Sequence, residues 1–247
     1  MTGAIQVWTM TVDALGEADV APWRAVLDET ERARADRLIF ARHRVQFVAA
    51  HALARAALAA VAGVGAAEWR FRPGEHGKPR AWLGERPAAV SFNLSHTEGL
   101  VGIAVGARPG AALGFDIEAM ERSVSLDVAG RYFRPEEVAW LRGLPQAERN
   151  EGFLRLWTLK EAFIKATGLG LAQGLDRFWF HVSPPRIRFT AAIADDADAW
   201  RFSQRVVAGR FLAALGVRAP VLTARWREVD AARFDPAREL EEWADHG

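Results

Sequence analysis

Apolar positions recur with a helical period over two long stretches of the chain. Between residues 31 and 62 there is no Gly or Pro, and Phe40, Phe47, Val48, His51, Leu53, Leu58 and Val61 return at roughly one-turn spacing. This predicts one long helix, stopped by Gly63 and Gly65. A second helix is expected over 148–167, ended by Gly168 and Gly170, with a shorter one before it at 135–141. Elsewhere the period shortens towards two. Strands are expected at 4–10, 68–72, 89–94, 100–105 and 113–118, then at 177–182, 186–191, 201–207, 210–217 and 221–226. The segment PGEHGKPR at 73–80 reads as a turn. Each half thus carries one long helix and a set of strands. The pattern predicts an α+β protein with two similar halves, 1–112 and 113–247.

Composition narrows the chemistry. Half the 247 residues are hydrophobic, and ten Trp with 14 Phe supply ample apolar surface for a core. The formal net charge is only +1, which argues against nucleic acid or an anionic membrane as partner. The absence of cysteine excludes disulfides, zinc–thiolate sites and a cysteine nucleophile, and fits a reducing compartment. The N-terminal MTGAIQVWTM has no basic segment followed by an apolar run. The longest uncharged stretch, 56–67, falls short of the ~20 apolar residues that span a bilayer. A soluble cytoplasmic protein is expected.

Two segments carry the candidate chemistry. In GFDIE, Asp116 and Glu118 are two apart on a predicted strand, so both carboxylates project to one face and Phe115 and Ile117 to the other. Such a pair suits a hard divalent cation, which takes one or two carboxylates and completes its shell with water and phosphate oxygens. A solvated acidic strand end reads equally well on these residues alone. In WTLKEAFIK, Trp157, Glu161 and Lys165 fall on one helical stripe with Lys160 beside them. Glu161 offers a third carboxylate next to cations that neutralise phosphate; an ordinary Glu161–Lys165 surface pair is the plainer alternative. The following GLGL suggests backbone approaching something closely. Ser95 and His96 in FNLSHTEG are expected at a hairpin tip, and Lys78 of GKP in a tight turn.

In this order and spacing, GKP (77–79), FNLSH (92–96), GFDIE (114–118), YFRPEE (132–137) and WTLKEAFIKATGLGL (157–171) resemble the Sfp-like 4′-phosphopantetheinyl transferases. The resemblance implies two α+β lobes related by a pseudo-twofold, with coenzyme A between them, in a monomer. It implies Mg2+-dependent transfer of phosphopantetheine to a serine of an apo acyl or peptidyl carrier protein, in polyketide or nonribosomal peptide biosynthesis, releasing 3′,5′-ADP. By position, Asp116, Glu118 and Glu161 look like the magnesium ligands, with Glu161 also placed to help deprotonate the serine. Lys165, and with it Lys160, look like the residues that stabilise charge on the pyrophosphate. Lys78, Ser95 and His96 look like contacts to the cofactor phosphates, and Glu137 matches an acidic position near the reacting phosphate. The family's arginine for the ribose 3′-phosphate aligns with Gln46; Arg42 and Arg44 lie close by, and Arg44 is carried as the cofactor-binding candidate. The segment 131–140 is the candidate carrier surface. Competing readings are a magnesium-dependent phosphodiesterase or hydrolase, and a non-catalytic coenzyme A or carrier-binding module.

Overall fold

Strand pairing departs from chain order in both large sheets, most widely at the C-terminus. The structure is a computed structural model and describes residues 4–106, 108, 110–238 and 240. It divides into two compact units. One takes the chain up to Ala111 and again from Thr223; the other is Ala112–Leu222. The tail does not stay with the second half.

The first unit contains β1 (Ile5–Thr11), α1 (Glu17–Val20), α2 (Glu29–Asp36), α3 (Ala41–Ala62), β2 (Trp69–Pro73), β3 (Pro79–Leu83), β4 (Arg86–Pro87), β5 (Ser91–Thr97) and β6 (Leu100–Gly106). The second contains β7 (Leu113–Ala119), α4 (Leu126–Tyr132), α5 (Pro135–Gly143), α6 (Arg149–Thr167), β8 (Phe178–Val182), β9 (Pro185–Phe189), β10 (Trp200–Val207) and β11 (Phe211–Arg218). The last strand, β12 (Ala224–Val229), returns to the first unit and pairs in parallel with β1, from Ile5↔Ala224 to Met10↔Val229. The expected second half of 113–247 is corrected accordingly: it ends at Leu222, and residues 239 and 241–247 lie outside the described residues. The physical reason is that β1 has two edges, and β6 fills only one of them. Local periodicity marks β12 as a strand but carries no information on so distant a partner.

In the first unit α3 packs on the sheet β12-β1-β6-β5. This 22-residue helix is long and apolar enough to cross a membrane, with mean hydropathy 1.6, yet 61% of that window is buried within the protein. It is a core helix. The continuous helix expected over 31–62 is in fact two, broken between Asp36 and Ala41. Phe40 caps α3 in an extended conformation, and the Arg44 guanidinium donates to the Leu38 and Ile39 carbonyls at 2.6 and 2.9 Å. A side chain from the next turn thus satisfies carbonyls the break would orphan, and no Gly or Pro is needed.

The second unit packs α6 on the sheet β10-β11-β7. Gly168 takes a left-handed φ of 75° and its N–H caps the Ile164 carbonyl at 2.9 Å; Gly170 has φ 60°. These conformations explain both glycines of GLGL without any ligand approaching the backbone.

Candidate active site

The approach of α6 to β7 begins at Gly114. A Cβ on Gly114 would stand 1.9 Å from the Ala162 carbonyl oxygen and 2.5 Å from the Ala166 nitrogen. Those two atoms are partners in one α-helical hydrogen bond, so the strand lies directly against helix backbone. The missing side chain of Gly114 points at α6, and strand alternation sends Asp116 and Glu118 to the same face. Phe115 and Ile117 take the opposite one, 0% and 1% exposed. Along α6, Trp157, Glu161 and Lys165 are half-buried while their neighbours 158–160, 162–164 and 166 are fully buried. The stripe expected from the sequence is therefore the line of α6 that stays partly open.

Lys165 Nζ donates to Asp116 Oδ1 at 2.6 Å, joining helix to strand. Glu118 accepts from Arg122 at 2.5 Å and from the Trp157 indole, and the Arg122 guanidinium lies 5.8 Å from the centroid of the Trp157 ring. Burial raises the Glu118 carboxyl, Arg122 lowers it again, and Asp116 adds repulsion. Glu161 feels the strongest effect. Burial, followed by repulsion from Asp116, raises it to about 7, against a smaller opposing pull from Lys165. Three carboxylates are thus within electrostatic reach of one another, although among the described residues no group of three His, Cys, Asp or Glu is gathered closely enough to hold a metal ion. The donor set nonetheless fits a hard cation: all oxygen, all anionic when ionised, and with a proton on Glu161 that a divalent charge would displace.

Lys160 is a correction. It was expected at the substrate phosphates, but it is 0% exposed and its three protons are committed. Nζ donates to Glu137 Oε2, to the Leu175 carbonyl and to the Phe178 carbonyl, each at 2.8 Å. One residue of helix turns a side chain by 100°, so Lys160 points into the core while Glu161 points towards β7. Glu137 is likewise 1% exposed and turned to Lys160.

In the first unit, Ser95 and His96 belong to β5 itself; the hairpin tip is Glu98–Gly99, with Thr97 opposite Leu100. Consecutive strand residues face opposite ways, and Ser95 is 4% exposed whereas His96 is exposed. Lys78 follows a turn in which His76 and Gly77 have φ 56° and 82°. It is half-buried, and burial lowers its ammonium to about 8. Arg44 is a second correction. Its guanidinium makes a bidentate pair with Glu17 at 2.5 and 3.1 Å besides its two backbone carbonyls, which leaves little for a phosphate. Gln46 Nε2 donates to the Thr97 carbonyl and so holds the end of β5. Arg42, one helical turn before Gln46, is exposed.

Sequence reasoning missed Gly114, Arg122 and the Glu137–Lys160 pair. Only the first had a signal, a glycine inside a predicted strand, which often marks a close backbone approach.

A model of the 4′-phosphopantetheinyl transferase superfamily matches residues 112–215. The chain is 32% identical over 220 residues to the 4′-phosphopantetheinyl transferase HetI of Nostoc sp., covering 88% of this chain and 89% of that one. It is 30% identical over 194 residues to a phosphopantetheinyl transferase of Thraustochytrium sp., covering 72% and 65%. To the 4′-phosphopantetheinyl transferase Sfp of Bacillus subtilis it is 38% identical over 109 residues, 44% of this chain and 46% of that one.

Proposed function

The chain belongs to the 4′-phosphopantetheinyl transferase superfamily, and we propose that it moves the phosphopantetheine arm of coenzyme A onto a serine of an apo carrier protein. The observation that carries this reading is the convergence of Asp116, Glu118, Glu161 and Lys165 on the faces where β7 and α6 meet. Asp116, Glu118 and Glu161 would hold magnesium, which supplies charge neutralisation on the diphosphate when bound.

The chain's own residues do the rest. The serine Oγ–phosphorus bond forms as the phosphorus–oxygen bond to the nucleotide breaks, and the electron pair leaves with 3′,5′-ADP. The serine proton passes to the Glu161 carboxylate or to a water beside it. The raise to about 7 belongs to the metal-free site; with the cation bound Glu161 would stay ionised, and its carboxylate would orient the accepting water. Lys165, which Asp116 holds on the β7 side of α6, would stabilise charge on the leaving group. Lys78, Ser95 and His96 keep the cofactor-phosphate roles that the family resemblance gives them. Arg42 takes the place of Arg44 at the 3′-phosphate, since it shares a helix face with Gln46 and is exposed. For the carrier, exposed Arg131 and the large side chains of Tyr132 and Trp140, 51% and 38% exposed, offer a basic and apolar surface.

The deciding experiment incubates the protein with coenzyme A, magnesium and a panel of apo acyl and peptidyl carriers. One carrier should gain the mass of a single phosphopantetheine arm. No gain on any carrier with folded protein would sink the reading, and hydrolysis of coenzyme A without transfer would favour a hydrolase instead.

Lys78 gives a pH prediction. Its folded ammonium loses its proton near 8, so its charge is present below that pH and lost above it. The kcat/KM for coenzyme A should fall as pH rises past about 8. Lys78→Arg, which stays charged, should flatten that limb. An unchanged profile in the variant removes Lys78 from phosphate binding.

A further inference from the structure

Glu137 and Lys160 form an ion pair in which both side chains are 0% exposed. Glu137 also accepts the Phe180 N–H on Oε1 at 3.0 Å and the Arg134 N–H on Oε2 at 3.1 Å. With the two carbonyls bound by Lys160, these contacts tie the start of α5, the turn before β8 and β8 itself to one position on α6. The rings of Phe178 and Phe133 close around Nζ, with centroids 4.5 and 5.0 Å away. That position adjoins Glu161.

Stability alone explains such a pair poorly. Desolvating two charges offsets most of their attraction, and apolar replacements of similar volume are often neutral or better. An apolar side chain, however, supplies no direction. A helix seated by hydrophobic contacts alone can roll, whereas an ammonium with three fixed acceptors resists it. The contact at Gly114 sets how near α6 comes to β7, and the Lys165–Asp116 and Trp157–Glu118 bonds join the same face, but these hold α6 only on the side towards β7. A roll of ~20° moves a carboxylate ~5 Å from the axis through ~2 Å. A misplacement of ~1 Å at a reacting centre can cost ~100-fold in rate.

We infer that Glu137 and Lys160 are positioning residues: their buried ion pair sets the rotation of α6, and thereby where Glu161 and Lys165 stand relative to Asp116 and Glu118. The kinetic consequence rests on the transferase reading; the consequence for cation binding does not.

The test removes both charges together in Glu137→Gln/Lys160→Met, so that neither is stranded. The variant should keep its circular dichroism and cooperative melting. Its kcat should fall ~100-fold with KM for coenzyme A nearly unchanged. Binding of Mn2+ alone, followed by electron paramagnetic resonance, should weaken ~10-fold, the size of loss seen when groups that orient metal ligands are altered. Glu137→Asp, which keeps both charges but shortens the reach by one methylene, should show the same two losses in smaller measure, and it decides the matter if the double variant does not fold. Wild-type kcat and Mn2+ affinity in the folded variants would overturn the inference, as would a loss confined to KM. If the wild-type protein modifies no carrier, the functional reading fails, and the Mn2+ measurement still decides this one.

Discussion

Glu161→Gln is expected to push stability and activity in opposite directions. Transfer should fall by at least ~1000-fold, because a metal ligand and a proton acceptor vanish together; the loss of one strong electrostatic catalytic group alone costs ~100–1000-fold. Stability of the metal-free protein should rise. The folded protein holds the Glu161 proton until about 7, whereas an unfolded chain releases it near the ordinary glutamate value of 4.5. Between those values the unfolded state binds fewer protons, so wild-type stability declines as pH increases and the full penalty is present above about 7. Glutamine carries no such penalty. Chemical denaturation should give equal stabilities near pH 4 and a variant more stable by roughly 2–3 kcal/mol at pH 8. Saturating magnesium should reverse the order at pH 8 by stabilising only the wild type. A variant no more stable than wild type at pH 8 would mean that Glu161 does not stand under carboxylate repulsion, and near-normal turnover would remove it from the site.

Gly114→Ala should be the most damaging single-methyl addition along β7. Its Cβ would enter the hydrogen bond between the Ala162 carbonyl and the Ala166 N–H, at 1.9 and 2.5 Å. Neither obstacle is the tip of a flexible side chain. Both are backbone in the last turn of a helix held on its other side by the Lys160 bonds and by Phe163, which packs 4.7 Å from Phe178 and 4.8 Å from Trp200 between ring centroids. Overpacked cores lose ~1–3 kcal/mol even where side chains can adjust. Here the strand or the helix must move, and at least ~3 kcal/mol is expected from the midpoint of urea unfolding. The same displacement separates Asp116 and Glu118 from Glu161, so the fraction that remains folded should also transfer poorly. A loss below ~1 kcal/mol would show that β7 and α6 are more loosely joined than the geometry requires.

The candidate site was legible in the sequence to the extent that its groups lie on regular elements. Alternation along GFDIE put Asp116 and Glu118 on one face, and the helical repeat put Trp157, Glu161 and Lys165 on one stripe; both hold in the structure. Lys160 shows where this fails. A lysine beside two other charged residues reads as surface, and only the packing of α5 and β8 around it reveals the buried acceptors that make its burial tolerable. Arg44 fails in the same way, since Glu17 lies 27 residues away in the chain and no spacing rule links them.

By itself the sequence determined the α+β class, most of the helices and strands, and the faces on which the candidate carboxylates and lysine lie, because these depend on periodicities of two and 3.6 residues. The ordered motifs were also enough to point to the family. The tertiary structure decided which strand closes the other side of β1, where the long N-terminal helix breaks, how near α6 comes to β7, and which lysine is buried. Each of these turns on a partner far away in the chain, and a periodicity records only what a residue does to its near neighbours.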